Sequence, residues 1–207
     1  IFILYLYLIT YNKANTSNQI TYKSNHNMVQ ATLLQAFLFR RVRQYEEGIF
    51  QMIISMVFHT IRDNEDLRDA VYLWFENNDY CLERYGHISL WNTVNVTDMS
   101  KLFLNRHTFN VCLNYWNVSN VKTMKSMFES AIEYNQPMDK WDTSKVEDMS
   151  LMLFSTDDFN QPLNTWNVSK VTKMVEMFAY ALSFRQQIDT WQISEETDFR
   201  DMFLQPY

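Results

Sequence analysis

Asp157 and Asp158 are the nearest approach in this chain to a pair of catalytic carboxylates. Two carboxyl groups that face one substrate can act as general acid and general base. Neighbours in a loop need not converge in that way, and no base, nucleophile or metal partner accompanies them in the sequence. The histidines, His26, His59, His87 and His107, lack ligand spacing and form no H-E-x-x-H string. Cys81 and Cys112 are too few for a disulfide framework or a zinc site and read as small buried hydrophobes. With two glycines, at Gly48 and Gly86, the chain has no phosphate-cradling loop. A net charge of −6 argues against a nucleic-acid partner, because phosphate binding needs a basic face. The expectation is a non-enzymatic protein with no cofactor and no metal. A hydrolytic enzyme using the loop carboxylates is the weakest alternative.

Glycan attachment is the other chemistry on offer. Asn15, Asn95, Asn117 and Asn167 each open an N-x-[ST] string, the acceptor pattern of secreted chains. A secreted, glycosylated adhesin is therefore a competing reading. Three of these strings, however, recur as part of a longer pattern, and that pattern dominates the sequence.

Trp91, Trp116, Trp141, Trp166 and Trp191 are spaced by 25 residues each time. Eight residues after each comes Met99, Met124, Met149, Met174 or Phe199, and twelve after comes Phe103, Phe128, Leu153, Phe178 or Phe203. Further columns keep the same register: Val96, Val121, Val146 and Val171; then Phe109, Tyr134, Phe159 and Phe184; then Ile88, Leu113, Met138, Leu163 and Ile188. One copy cannot bury so many large apolar side chains alone, whereas stacked neighbours bury them for one another. The period predicts a solenoid over 91–207, with four full repeats and a terminal half repeat. Ser119, Ser144, Ser169 and Ser194 are placed as helix N-caps, with Ser144 and Glu147 at capping-box spacing. Val, Met and Phe at i, i+3 and i+7 then predict a short helix in each repeat, followed by an extended piece near Leu113–Val118. Asn110, Asn135 and Asn160 are placed to hydrogen-bond the backbone of neighbouring repeats. The side chains expected to vary outward lie on the helix faces and in the loops 104–108, 129–133, 155–158 and 179–183.

The elements before the array read differently. Residues 1–27 lack apolar periodicity, and their apolar run, Ile1 to Ile9, falls short of the roughly 20 residues that span a bilayer. A disordered or spurious leader upstream of a start at Met28 is expected there, with no small-x-small cleavage site after the apolar run. Residues 28–62 are rich in helix formers and predict an N-terminal helical region. Over 63–90, Asp63 is placed to cap a helix that carries Leu67, Ala70, Val71 and Trp74 on one face, and a second turn ends at Gly86. This segment is the expected cap of the first repeat. At the other end, Glu196 occupies the valine column, so it is expected in water, with Phe199 and Phe203 packed back onto Met174 and Phe178.

The string W-[ND]-[VT]-S-x-V-x-x-M-x-x-M-F, followed by F-N-Q-P-L-N-x-W, resembles the BspA-like leucine-rich-repeat family, which includes the mycoplasma-type lipoprotein repeats of unknown function. "AVYLWFENNDYCLERYGHISLWN" is similar to the helical lead-in of such arrays, so the resemblance covers about 63–207. It implies a right-handed α/β solenoid of leucine-rich-repeat type. It also implies a surface-exposed adhesion or interaction protein with a protein partner and no catalytic residues.

Overall fold

The computed structural model describes residues 59–205. The leader expected over 1–27, and all but the end of the helical region expected over 28–62, lie outside the described residues. At that end the chain is not helical. The Ile61 N–H donates to the Asn92 carbonyl at 3.0 Å, and the Asn92 N–H donates to the His59 carbonyl at 2.9 Å. Residues 59–62 are thus drawn into parallel pairing with the start of the first repeat, and Ile61 is fully buried there.

Helix α1 spans Asn64–Glu76, and α2 spans Asn78–Tyr85. The Asp63 carboxylate accepts the Asp66 N–H at 2.9 Å, and Glu65 and Asp66 occupy the first turn, where the helix dipole favours negative charge. Leu67, Ala70 and Val71 form the buried stripe. The next residues seat the helix on the first repeat. The Phe75 ring lies 5.8 Å from Phe109, and Trp74 meets Trp91 edge-on at 6.3 Å. Asn77 caps α2, and Gly86, at φ 71°, ends it in a conformation a side chain would resist. A single 3-10 turn, Ile88–Leu90, then leads to Trp91.

From Trp91 onward the described residues contain neither helix nor strand, and the repeat helices and extended pieces expected from the sequence do not form. The backbone instead makes consecutive tight turns. The Met127 N–H donates to the Met124 carbonyl at 3.1 Å, and the Ala131 N–H donates to that of Phe128 at 2.9 Å. Ser126 and Ser130, at the third position of these turns, have φ of 56° and 58°, the sign a type II turn requires there. Leu151, Ser155, Glu176 and Tyr180 repeat the arrangement. Helix is blocked for a second reason: the carbonyls it needs are taken. The amides of Met99, Lys101, Phe103 and Asn105 donate to the carbonyls of Thr123, Lys125, Met127 and Glu129 in the next repeat, at 2.9 to 3.0 Å. The same four-rung ladder recurs between each later pair of repeats.

The residues placed as helix caps serve these turns. The Ser119 N–H and hydroxyl both donate to Asn117 Oδ1, at 3.1 and 2.7 Å, and Ser169 does the same to Asn167. Ser144 makes no capping box, because the Glu147 N–H donates to the Lys122 carbonyl at 2.7 Å. Leu113 and Trp116 are the ends of another turn, closed by a 2.9 Å hydrogen bond, where an extended piece was expected.

Side chains follow the register of the backbone. Trp141 and Trp166 stack at 6.2 Å, Trp166 and Trp191 at 6.3 Å, and Tyr134 lies between Phe109 and Phe159 at 5.9 and 6.2 Å. Each indole N–H donates to a carbonyl near the preceding tryptophan: Trp116 to Ile88, Trp141 to Leu113, Trp166 to Met138 and Trp191 to Leu163, at 2.8 to 3.0 Å. Asn110 Oδ1 accepts the Asn135 N–H, Asn135 Oδ1 accepts the Asn160 N–H, and Asn160 Oδ1 accepts the Arg185 N–H, at 3.0 to 3.1 Å. The expected asparagine ladder is present.

One buried group is badly matched. Among the described residues the Tyr134 hydroxyl has no hydrogen-bond partner, and burial pushes its pKa well above the usual tyrosine value. An unpaired buried hydroxyl costs about 1–3 kcal/mol, and the column otherwise holds phenylalanine. Tyr134→Phe is therefore expected to raise stability by about 1 kcal/mol, read from urea unfolding midpoints at unchanged slope. A loss of stability would mean that the hydroxyl has a partner.

Candidate interaction surface

The core columns set where chemistry cannot occur. Trp91, Trp116, Trp141, Trp166 and Trp191 are all buried, as are Met99, Met124, Met149, Met174, Phe103, Phe128 and Phe178. Phe203 is the exception. Its ring stacks on Phe178 at 5.4 Å, yet its other face is open and the residue is 49% exposed. Phe199, expected to pack inward, is also exposed, because no later repeat among the described residues covers either ring. Glu196 is exposed.

Asp157 and Asp158 take part in the structure through their main chain. The Asp157 carbonyl accepts the Ser183 N–H at 2.9 Å, and the Asp158 N–H donates to the Ile132 carbonyl at 3.1 Å. Both residues serve the backbone between repeats. Cys81 is buried, with its Sγ 3.4 Å from the Ala70 carbonyl, and burial pushes its thiol up to about 11. That value keeps it protonated and unreactive at neutral pH. Burial also holds His87 down to about 4, and its Nδ1 accepts the Ser89 N–H at 3.3 Å. Among the described residues, no three His, Cys, Asp or Glu side chains are grouped to hold a metal ion. The sequon asparagines Asn117 and Asn167 use Oδ1 to close turns, and Asn95 Nδ2 donates to the Ile61 carbonyl at 3.1 Å.

A buried carboxylate lies in the cap. Asp66 is 2% exposed and accepts from the Arg62 N–H at 2.9 Å, the Arg62 guanidinium at 2.7 Å and the Tyr85 hydroxyl at 3.1 Å. The Arg62 hydrogen bond is the main cause that brings its carboxyl down to about 2. Sequence spacing marks Asp66 as a first-turn residue but not as a buried one, because Arg62 and Tyr85 reach it only in the folded cap.

What remains outward is a row of loop tips. His107, Ile132, Asp157 and Leu182 occupy one position of successive repeats. Their backbone is pinned: Glu133, Asp158 and Ser183 each donate an N–H to the tip carbonyl of the preceding repeat, at 2.9 to 3.1 Å. Ile132 and Leu182 are 36% and 43% exposed, large apolar side chains held out into water. A hydrogen-bonded main chain here displays a different side chain at every step. Among the described residues, no helix is long and apolar enough to cross a membrane.

No curated protein and no solved structure matches the chain. One family does, at residues 71–174 and again at 137–206, and together these matches cover more than half of the chain. The two matches take in the lead-in from Val71 and the tryptophan repeats, the same stretch that carries the turn ladder and the loop-tip row. The chain therefore belongs to the family described as "Mycoplasma protein of unknown function, DUF285".

Proposed function

We propose that this protein is a non-enzymatic repeat module, a right-handed solenoid of the leucine-rich-repeat type related to BspA-like surface proteins, and that it acts by binding another protein. The row His107, Ile132, Asp157 and Leu182 carries this reading, because its backbone is fixed by hydrogen bonds while its side chains vary. Exposed apolar residues on a rigid support lose little conformational entropy on binding, which favours a recognition role. Adhesion at a cell surface is the setting that the resemblance implies.

The reading is tested with beads coated with the full chain and applied to cultured cells or an immobilised surface-protein extract. Ile132→Asp combined with Leu182→Asp is expected to lower bead retention at least about tenfold, the effect of losing two interface anchors. Their exposure means that folding should be unaffected, which circular dichroism checks. Retention unchanged by the double variant would remove the loop tips from the binding face.

A further inference from the structure

Charge narrows what the loop-tip row can bind. In the three repeats from Trp116 to Thr190, the tip segments run 129–133, 154–158 and 179–183. They hold Glu129, Glu133, Asp157 and Asp158 and no lysine or arginine. None of these carboxylates is in an ion pair among the described residues. The lysines of the same repeats, Lys122, Lys125, Lys140, Lys145, Lys170 and Lys173, fall at other positions of the repeat. Their one arginine, Arg185, donates its guanidinium N–H to the Phe184 carbonyl at 2.8 Å. Arg106, before the first tip, is turned onto the cap, 4.1 Å over the Phe75 ring and 3.5 Å from Glu76. The exposed apolar side chains of the tips therefore stand among unpaired carboxylates. Their exposure is not made by an end of the array. Ile132 has a repeat on either side and is 36% exposed, close to the 43% of Leu182.

Spacing narrows the partner further. The repeats pair in parallel through Thr123, Asp148 and Lys173. Neighbouring chains in such pairing lie about 4.8 Å apart, so Ile132 and Leu182, two repeats apart, are separated by about 10 Å with Asp157 midway. An α-helix rises about 1.5 Å per residue, so its residues i and i+7 span about 10.5 Å on one face, with i+3 and i+4 between them. An extended strand covers that distance in about three residues, an odd step that turns the second side chain to the opposite face. A helix can supply both apolar contacts from one face, and a strand cannot. We propose that the loop-tip row binds a cationic amphipathic helix of a partner protein. Its apolar residues at i and i+7 rest on Ile132 and Leu182, and a lysine or arginine at i+3 or i+4 faces Asp157, with Glu133 and Asp158 alongside. The proposal rests on the reading of the tips as the binding face and adds the chemistry of the partner.

A fluorescein-labelled, alanine-based helical peptide with Leu at i and i+7 and Lys at i+3 and i+4 serves as the probe, with the full chain titrated into it. Anisotropy is expected to rise to saturation, and the same peptide with Glu in place of Lys should bind at least about tenfold more weakly. Ile132→Ala combined with Leu182→Ala should weaken binding of the Lys peptide by about tenfold. Glu133→Lys combined with Asp158→Lys, both at exposed positions, should reverse the preference, so that the Glu peptide binds more tightly than the Lys peptide. Circular dichroism should be the same for every variant. Equal binding of the two peptides, no saturable binding, or a preference that charge reversal leaves in place overturns the proposal. The bead assay separates this proposal from the reading beneath it. Retention lost with Ile132→Asp/Leu182→Asp but unchanged with Glu133→Lys/Asp158→Lys overturns the cationic partner alone and leaves the tips as the binding face. Retention unchanged by both overturns the loop face as well.

Discussion

Trp141→Ala is expected to destabilise the protein by about 3–5 kcal/mol, the range for truncating a large core aromatic. Three losses combine at this position. The ring, 3% exposed, leaves a cavity between Phe128, at 6.4 Å, and Trp166, at 6.2 Å. The stacking geometry with Trp166 is lost, worth about 0.5–1.5 kcal/mol beyond area burial. The Leu113 carbonyl also loses its indole donor and keeps only the Trp116 N–H. Trp141→Phe separates these contributions, because it keeps an aromatic ring and removes only the donor and part of the volume. It should cost less than half as much. Trp191→Ala should fall below Trp141→Ala as well, because Trp166 of the next repeat stacks beyond Trp141, whereas no later repeat among the described residues stacks beyond Trp191. Urea unfolding followed by intrinsic fluorescence gives all three values. Equal costs for Trp141 and Trp191 would contradict a stack in which each repeat supports its neighbours.

Asp66→Ala should cost about 2–3 kcal/mol through a different mechanism. Removing the carboxylate leaves the Tyr85 hydroxyl and the Arg62 N–H without their acceptor in the cap, although Arg62 itself can turn to water. The same site sets an acid limit. A carboxyl held at about 2 in the folded protein, below its ordinary value of 3.8, stabilises the fold at every pH above that ordinary value. The contribution disappears as pH falls from about 4 through about 2. Its size is about 1–2 kcal/mol once the exposure of the Arg62 guanidinium is allowed for. Asp66→Asn should keep part of the hydrogen bonding and flatten the stability profile between pH 4 and pH 2. A variant profile as steep as that of the parent protein would assign the acid sensitivity to other carboxylates.

The sequence exposes those features in which side-chain type and backbone role coincide. Asp63 and Gly86 mark the limits of the cap because few residues suit an N-cap carboxylate or a positive φ. The asparagine ladder is legible because one residue type recurs where a backbone N–H must be met. The repeat helices were misread for a specific reason. Valine, methionine and phenylalanine at i, i+3 and i+7 reach one side of a helix, and they also reach one side of a chain of tight turns. Only the left-handed residues distinguish the two, and here they include Lys101, Ser126, Leu151, Glu176 and Asp201 instead of glycine. Leu151 gives no sequence signal of positive φ at all. Ser119 and Ser169 misled in the same way, because a hydroxyl that could cap a helix donates instead to the asparagine two residues before it. The loop-tip row could be located but not characterised, because its rigidity comes from hydrogen bonds between repeats 26 residues apart, such as Glu133 to His107.

The central claim is that the 25-residue repeat is the unit of this structure, each copy seated on the last by the same hydrogen bonds. Excising residues 116–140 tests it most directly. The deletion joins Tyr115 to Trp141 in unchanged register, so the Trp141 indole can take the Ile88 carbonyl that Trp116 now uses. Thermal unfolding followed by near-ultraviolet circular dichroism should remain cooperative, with the tryptophan signal retained and a modest fall in midpoint. A shorter deletion, 116–127, should abolish folding, because it puts every later column out of register. If both deletions unfold the chain equally, or if the shorter one is tolerated as well as the longer, the repeat is not the structural unit.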